Sequence, residues 1–514
     1  MFNNLSRRQF IRSALLGTTA APFVLNAVPR AFAAVGDPVL VHCMLFGGAD
    51  LRHVFAPSPG TPQAPYYWTA REVLFQWRWN NGIPLNYSDP STFVPADYSA
   101  VNPTPADAYA DMFNDHYVQI PGQDFGIHKS CGWLIQQFQP PSDPLNKVTN
   151  VAIVANADGS NNRRHDHSQL IMLTGDKEVG INDYDRNGWG GRLMEHINDN
   201  GGLPGGAEAN AVSMTSVVPI FCYGDNAVNR LEHVVHTPNT QQFGFNQGGG
   251  TGADSTVMSR AIEAYYGVKG AEVAADPTKQ TGWPFSLFYQ HEASIRGLQT
   301  QFNDIVQPGV IDHPVEISDL YSVYRPNSLN GTEKGLYRTS FGRQIANLFD
   351  CMYATDLLGM KVAHLDYGGW DSHDNQQYYM QRNLHDIFGI GGGFDMLRRS
   401  LATDNPGAEG DLIMVFSSDF GRQIMGNGTA GTDHGNGSYM IMIGDDLAHG
   451  VYGDMFPDDE IPLYDVPRSG ITGKTSVEEV FKVLCDWTYP GSGAAVFPGL
   501  DGTDIETGVN LNFL

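Results

Sequence analysis

Short runs of consecutive apolar, β-branched-rich residues recur along the chain, and each is followed at once by a loop holding Gly together with Asp or His. Five such runs predict strands at Val39–Phe46, Val151–Ala155, Lys361–Leu365, Leu412–Phe416 and Tyr439–Ile443. Their hydrophobicity is continuous rather than alternating, which suits strands covered on both faces. Amphipathic stretches such as Ser340–Gly359 and Val477–Trp487 supply helices to cover them. The pattern predicts an α/β fold, a sandwich around a mainly parallel sheet. Two long departures interrupt it. Residues 57–119, rich in Tyr, Trp, Pro and Asn, read as a loop or cap insertion whose aromatic rings pack the loop itself in preference to stacking sugars. Residues 201–330, broken by Gln247-Gly248-Gly249-Gly250-Thr251-Gly252, carry helical patterns at Val257–Val268 and Phe288–Ile305 and read as a mainly helical insertion.

With 514 residues, 41% hydrophobic and 17% charged, the chain is globular and long enough to bury its own core. A metal here would therefore serve chemistry rather than folding. The net charge of −25 argues against nucleic acid as a partner. The N-terminal 33 residues stand apart, with no acid and four arginines. Ser6-Arg7-Arg8-Gln9-Phe10-Ile11-Arg12 precedes a moderately apolar run from Ala14 to Val28, and Ala31-Phe32-Ala33 is a small-x-small cleavage site. Residues 1–33 therefore read as a twin-arginine signal peptide, with the translocase as a partner during export. Residues 34–514 are then the mature α/β domain, periplasmic or secreted, with no membrane span after cleavage. Five scattered cysteines (Cys43, Cys131, Cys222, Cys351, Cys485) form no C-x-x-C pair, so neither a zinc ribbon nor a disulfide framework is expected.

Ligands of open α/β sheets bind beyond the carboxyl ends of the strands, so the residues after each apolar run carry the candidate chemistry. Gly47-Gly48-Ala49-Asp50 follows the first run, and Gly369-Trp370-Asp371-Ser372-His373 the third. Ser418-Asp419-Phe420-Gly421-Arg422 follows the fourth, and Thr432-Asp433-His434-Gly435 precedes the fifth. Taken singly, each has a plain reading as a turn, a helix cap or a surface ion pair. Their joint appearance at successive strand ends points instead to a divalent-metal site of Asp50, Asp371, His373, Asp419 and His434, an oxygen-and-nitrogen set suited to Zn, Mn or Fe. Three clustered carboxylates call for about two divalent ions, which would leave the site attractive to an oxyanion. Arg422 is the candidate clamp for a non-bridging oxygen. In Arg163-Arg164-His165-Asp166-His167-Ser168, spacing does not choose among His165, His167 and Ser168 as nucleophile or acid. His128, in a segment predicted to open a helix, is a further catalytic candidate against a capping or structural role. His364 and His449 read as structural. An oxidoreductase lacks support, because no G-x-G-x-x-G follows a strand and no C-x-x-C-H is present.

These motifs, together with Gly188-Trp189-Gly190-Gly191-Arg192-Leu193 and the His165-to-Gly175 segment, resemble the bacterial domain-of-unknown-function 1501 family from Val39 to the C-terminus. That family is similar in fold to the alkaline phosphatase and sulfatase superfamily. The resemblance implies an alkaline-phosphatase-like three-layer sandwich with two metals, held by Asp50, Asp371 with His373, Asp419 and His434. Two departures stand out. The superfamily often places a second ligand beside the acid at 419, where this chain has Phe420, which leaves one metal position short. Its sulfatase-like members carry the nucleophile nine residues before a Thr-Gly pair; counting back from Thr174 reaches His165, with no hydroxyl or thiol. The resulting expectation is an exported metal-dependent hydrolase of small-molecule or glycan phosphate or sulfate esters, with His165 near the reacting centre. The alternative is a non-catalytic, metal-stabilised envelope protein of the same fold that binds glycans or a secreted partner.

Overall fold

A computed structural model describes residues 38–79, 93–139, 149–160, 162–203, 208–226, 230–238, 301–302, 340–404 and 408–514. The signal-peptide reading of residues 1–33 and most of the predicted helical insertion lie outside these residues.

Among the described residues the central sheet has nine strands: β1 (Val39–Leu45), β2 (Val151–Asp158), β3 (Asn210–Ser213), β4 (Val234–His236), β5 (Met360–Tyr367), β6 (Leu412–Ser418), β7 (Ser438–Ile443), β8 (Gly450–Tyr452) and β9 (Thr475–Ser476). Their order is β8-β2-β7-β6-β1-β5-β3-β4, with β9 also paired to β2. All pairings are parallel except the two made by β7, so the fold is mixed α/β around a mostly parallel sheet. All five strands expected from the apolar runs are present. The four additional ones are two to four residues long, too short to carry a hydrophobic period.

Alternate residues of β1 enter two cores. Val39, Val41, Cys43 and Leu45 pack into one, and Leu40 and Met44 into the other. The first is completed by helices Ser340–Tyr353, Gln376–Phe388 and Gly393–Asp404, and the second by Trp189–Asp199 and Val477–Thr488. The last of these shows how sequence sets the element. Val477, Val480, Phe481 and Leu484 fall on one face at helical spacing, Ser476 caps the Glu478 amide, and Glu478 and Glu479 sit in the first turn, where the helix dipole favours acids. All five cysteines are buried thiols. Among the described residues, no helix is long and apolar enough to cross a membrane.

Segment 57–119 contains the helices Ala64–Arg71 and Pro105–His116. The second starts where Thr104 accepts from the Asp107 amide with Pro105 next, and it buries Ala108, Tyr109, Met112, Phe113 and His116 along one stripe. Tyr67, Trp68, Tyr98 and Tyr109 are all buried, so these rings pack the cap itself.

Register positions the site. Leu45 of β1 stands opposite both Tyr367 of β5 and Ser418 of β6, so three neighbouring strands end at one level. The antiparallel β7 begins at that same edge, where Ser438 pairs with Ala157 near the end of β2. Chain leaving β1, β2, β5 and β6 and chain entering β7 therefore meet at a single rim.

Candidate metal centre

At this rim three imidazoles surround Asp371. His373 Nε2 lies 3.1 Å and His434 Nε2 3.3 Å from Asp371 Oδ1, and the two nitrogens are 2.9 Å apart. His165, the first residue of the helix His165–Thr174, sets its Nε2 3.6 Å from Asp371 Oδ2. Ligand atoms of His165, Asp371 and His434 all fall within 4.8 Å of one another. Two ligands of a tetrahedral ion at about 2.0–2.1 Å stand about 3.3–3.4 Å apart, so the separations of 3.1, 3.3 and 3.6 Å from Asp371 suit ligands of one cation.

The far side of each ring explains why the Nε2 atoms face inward. His165 Nδ1 is 2.7 Å from Asp419 Oδ2, His373 Nδ1 3.1 Å from Asp433 Oδ1, and His434 Nδ1 2.9 Å from the Arg163 carbonyl. Each partner is an acceptor, so Nδ1 donates in each ring, and in a neutral imidazole this leaves the Nε2 lone pair on the side of Asp371, the tautomer that a cation there would require. Two lone-pair nitrogens 2.9 Å apart repel unless a proton or a cation lies between them. Within the centre, His165 Nε2 and Asp419 Oδ1 are buried polar atoms with no hydrogen-bond partner among the described residues. The residues present therefore fit a divalent cation. Phe420 closes one wall, its ring 4.9 Å from His165 and 4.5 Å from His434.

The three strand-end acids differ in their surroundings. Asp371 is 47% exposed. Partial burial pushes its carboxyl up, but the hydrogen bond and charge of Arg422, with His373 adding, hold it below the usual range. Asp419 is buried, and its Oδ2 receives the Gly47 amide at 3.2 Å and the Gln169 amide at 3.0 Å as well as His165. That hydrogen bond, outweighing burial, raises the His165 pKa. Desolvation lowers that of His434. Asp50 is 1% exposed and faces Arg71, the last residue of Ala64–Arg71: Nη1 lies 2.8 Å from Oδ2, and Nη2 donates to Oδ1 at 3.2 Å. Gln376 Nε2 donates to the same Oδ2 at 2.7 Å. Burial alone would raise the Asp50 pKa, and the Arg71 guanidinium brings it below the usual value.

The structure thus brings together His165, Asp371, His373 and His434, with Asp419 behind His165, while Asp50 is engaged by Arg71. Arg422, read from the sequence as an oxyanion clamp, is buried and points inward. Nε donates to Gly48 O and Nη1 to Thr432 O, each at 2.7 Å, and Nη2 donates to Gly47 O at 2.7 Å and to Asp371. Those carbonyls turn toward it because Gly47 and Gly48 adopt φ of +119° and +69°, and a Cβ on either would meet Asp371 N or the Phe420 ring at about 2.5 Å or less. His128 ends a strand and accepts from the Ser130 amide. It lies in the interior, 5.2 Å from the His53 ring, and burial lowers its pKa. His167 bonds to Val179 O at 2.7 Å, and Ser168 is buried in its helix. Three residues were given no role from the sequence. Asp433 was signalled by its place beside His434, Gln169 by its i+4 spacing from His165, and Arg71 by nothing local.

A family model described as a protein of unknown function (DUF1501) matches residues 328–462, a stretch that holds Asp371, His373, Asp419, Arg422 and His434. No curated protein and no solved structure matches the chain. The model match supports the resemblance to the DUF1501 family across those residues.

Proposed function

We propose that the protein is a metal-dependent hydrolase of phosphate or sulfate esters, exported by the twin-arginine pathway and similar in fold to the alkaline phosphatase and sulfatase superfamily. The observation that carries this reading is the set of three Nε2 atoms facing Asp371, each ring fixed through its Nδ1. His165, Asp371 and His434, with His373 adjoining, would hold a divalent cation, which would supply Lewis-acid polarisation of an ester oxygen. With three neutral imidazoles and one carboxylate around a bound divalent cation, the centre would carry a net positive charge and would favour an anionic ester. The chain's own groups divide the remaining work. Asp419, Asp433 and the Arg163 carbonyl orient the rings, Phe420 excludes water from one side, and Arg422 fixes Asp371 from below. His373 and Asp371, both more than two-fifths exposed, leave an open approach for substrate.

The inward direction of Arg422 favours a second reading, a metal-stabilised envelope protein without turnover. Nitrophenyl phosphate, a phosphodiester and a nitrophenyl sulfate, each assayed with and without chelator, separate the two. Chelator-sensitive hydrolysis is the expected result. Retention of metal with no hydrolysis of any of the three would favour the binder.

A further inference from the structure

We propose that the centre holds one divalent cation rather than two, and that Arg71, delivered by the cap helix Ala64–Arg71, supplies a fixed positive charge at Asp50 in place of a second ion. This rests on the metal reading above. The available donors converge on a single point, the group formed by His165, Asp371 and His434 with His373 adjoining. Asp50 does not contribute to it: both its oxygens face Arg71, and Oδ2 also receives Gln376. Arg71 is itself fully buried, donates to Gln423 O at 3.4 Å and lies 5.1 Å from the centre of the Tyr67 ring, so it is walled in on the protein side. A divalent ion brought against Asp50 would have to displace this guanidinium or sit beside it, like charge against like charge.

Charge balance gives the same answer. The three carboxylates Asp50, Asp371 and Asp419 are met by two buried guanidinia, Arg71 on Asp50 and Arg422 on Asp371, and Asp433 on the exposed side is screened by solvent. The single net negative charge left inside becomes +1 with one divalent ion and +3 with two, and the larger excess is the more costly in a partly buried site. Arg71 also reaches the ligand loops indirectly. Gln376, bonded to Asp50, accepts through Oε1 from Ser372 Oγ at 3.1 Å and Thr432 Oγ1 at 2.5 Å, residues that adjoin Asp371, His373 and Asp433.

The test is metal stoichiometry. The chain is stripped, titrated with Zn²⁺ and separately with Mn²⁺, and its bound metal is measured by mass spectrometry. The expected result is about one tight equivalent per chain, where a two-metal hydrolase would hold about two. Two equivalents would overturn the proposal. No tight equivalent would overturn the metal reading itself, so the two failures are distinguishable. The double variant Asp50→Asn/Arg71→Met, which removes both members of the buried pair, should keep its one equivalent with affinity within about threefold, below the 10–100-fold loss of a group that supports a ligand. A folded double variant that loses the ion would place Asp50 among the ligands and overturn the proposal. Should the double variant not fold, the wild-type stoichiometry decides.

Discussion

Asp50 and Asp371 begin from equivalent positions. They follow neighbouring parallel strands, β1 and β5, whose ends are in register, and Trp370 N bonds to Phe46 O between them. They end in opposite environments. Asp50 is buried against an arginine and a glutamine, whereas Asp371 is half exposed among three imidazoles and is held from beneath by Arg422. A strand-end carboxylate is thus only an offer of charge. Its role is set by what the intervening chain delivers. The cap helix brings a cation to one acid. The turn at residues 427–431, between the short strands Arg422–Gly426 and Thr432–His434, brings an imidazole to the other.

Breaking the buried pair should have the largest effect. Arg71→Met leaves Asp50 buried without its cation and should cost about 3–5 kcal/mol of stability in urea unfolding; a loss below about 1 kcal/mol would show that the pair is not desolvated as described. Asp371→Asn should do the reverse, changing metal-free stability little while weakening Zn²⁺ binding at least about 100-fold, or about 2.7 kcal/mol. Equal losses of stability in the two variants would erase the distinction between the acids. Asp433→Asn, which loosens the ring of His373 and the Asn427 side chain beside it, should cost about tenfold in metal affinity, the lower end of the range for groups behind a ligand. The smallest effect compares Asp50 with a buried acid whose neighbours do not bring it down. Burial raises the Asp386 carboxyl to about 7, against the lowering hydrogen bond of Tyr367. The native state then binds the proton more tightly than the unfolded chain, so this stability is fully present below the unfolded carboxylate pKa and is lost as pH rises through about 7. Between about pH 6 and pH 7 the loss should be about 1 kcal/mol, and Asp386→Asn should remove that slope.

Much of this was legible in the chain because the strands are buried on both faces and read as unbroken apolar runs, which fixes where their ends lie. The acids and imidazoles at those ends could be listed for the same reason. What the sequence could not show was pairing across distance. Nothing near residue 71 marks it as the partner of Asp50, since the contact depends on how the cap folds back. Arg422 read as a substrate clamp because its inward turn depends on carbonyls that only the left-handed Gly47-Gly48 bend presents. His128 caps the helical turn Lys129–Cys131 that leads into the helix Gly132–Phe138, as the capping reading had it, and because it also ends the strand Phe125–His128 it is buried in the interior, away from the rim. Asp433 and Gln169 were within reach. Asp433 lies beside a candidate ligand and holds the second nitrogen of His373, and Gln169, one helical turn from His165, donates to the Asp419 carboxylate that holds the second nitrogen of His165.

X-ray absorption at the zinc edge of the Zn²⁺-loaded chain tests the central claim most directly. A first shell at about 2.0–2.1 Å, with the multiple-scattering signature of three imidazoles that falls to two in His434→Ala, is the result this account predicts. A shell of oxygens alone, unchanged by that substitution, would contradict it.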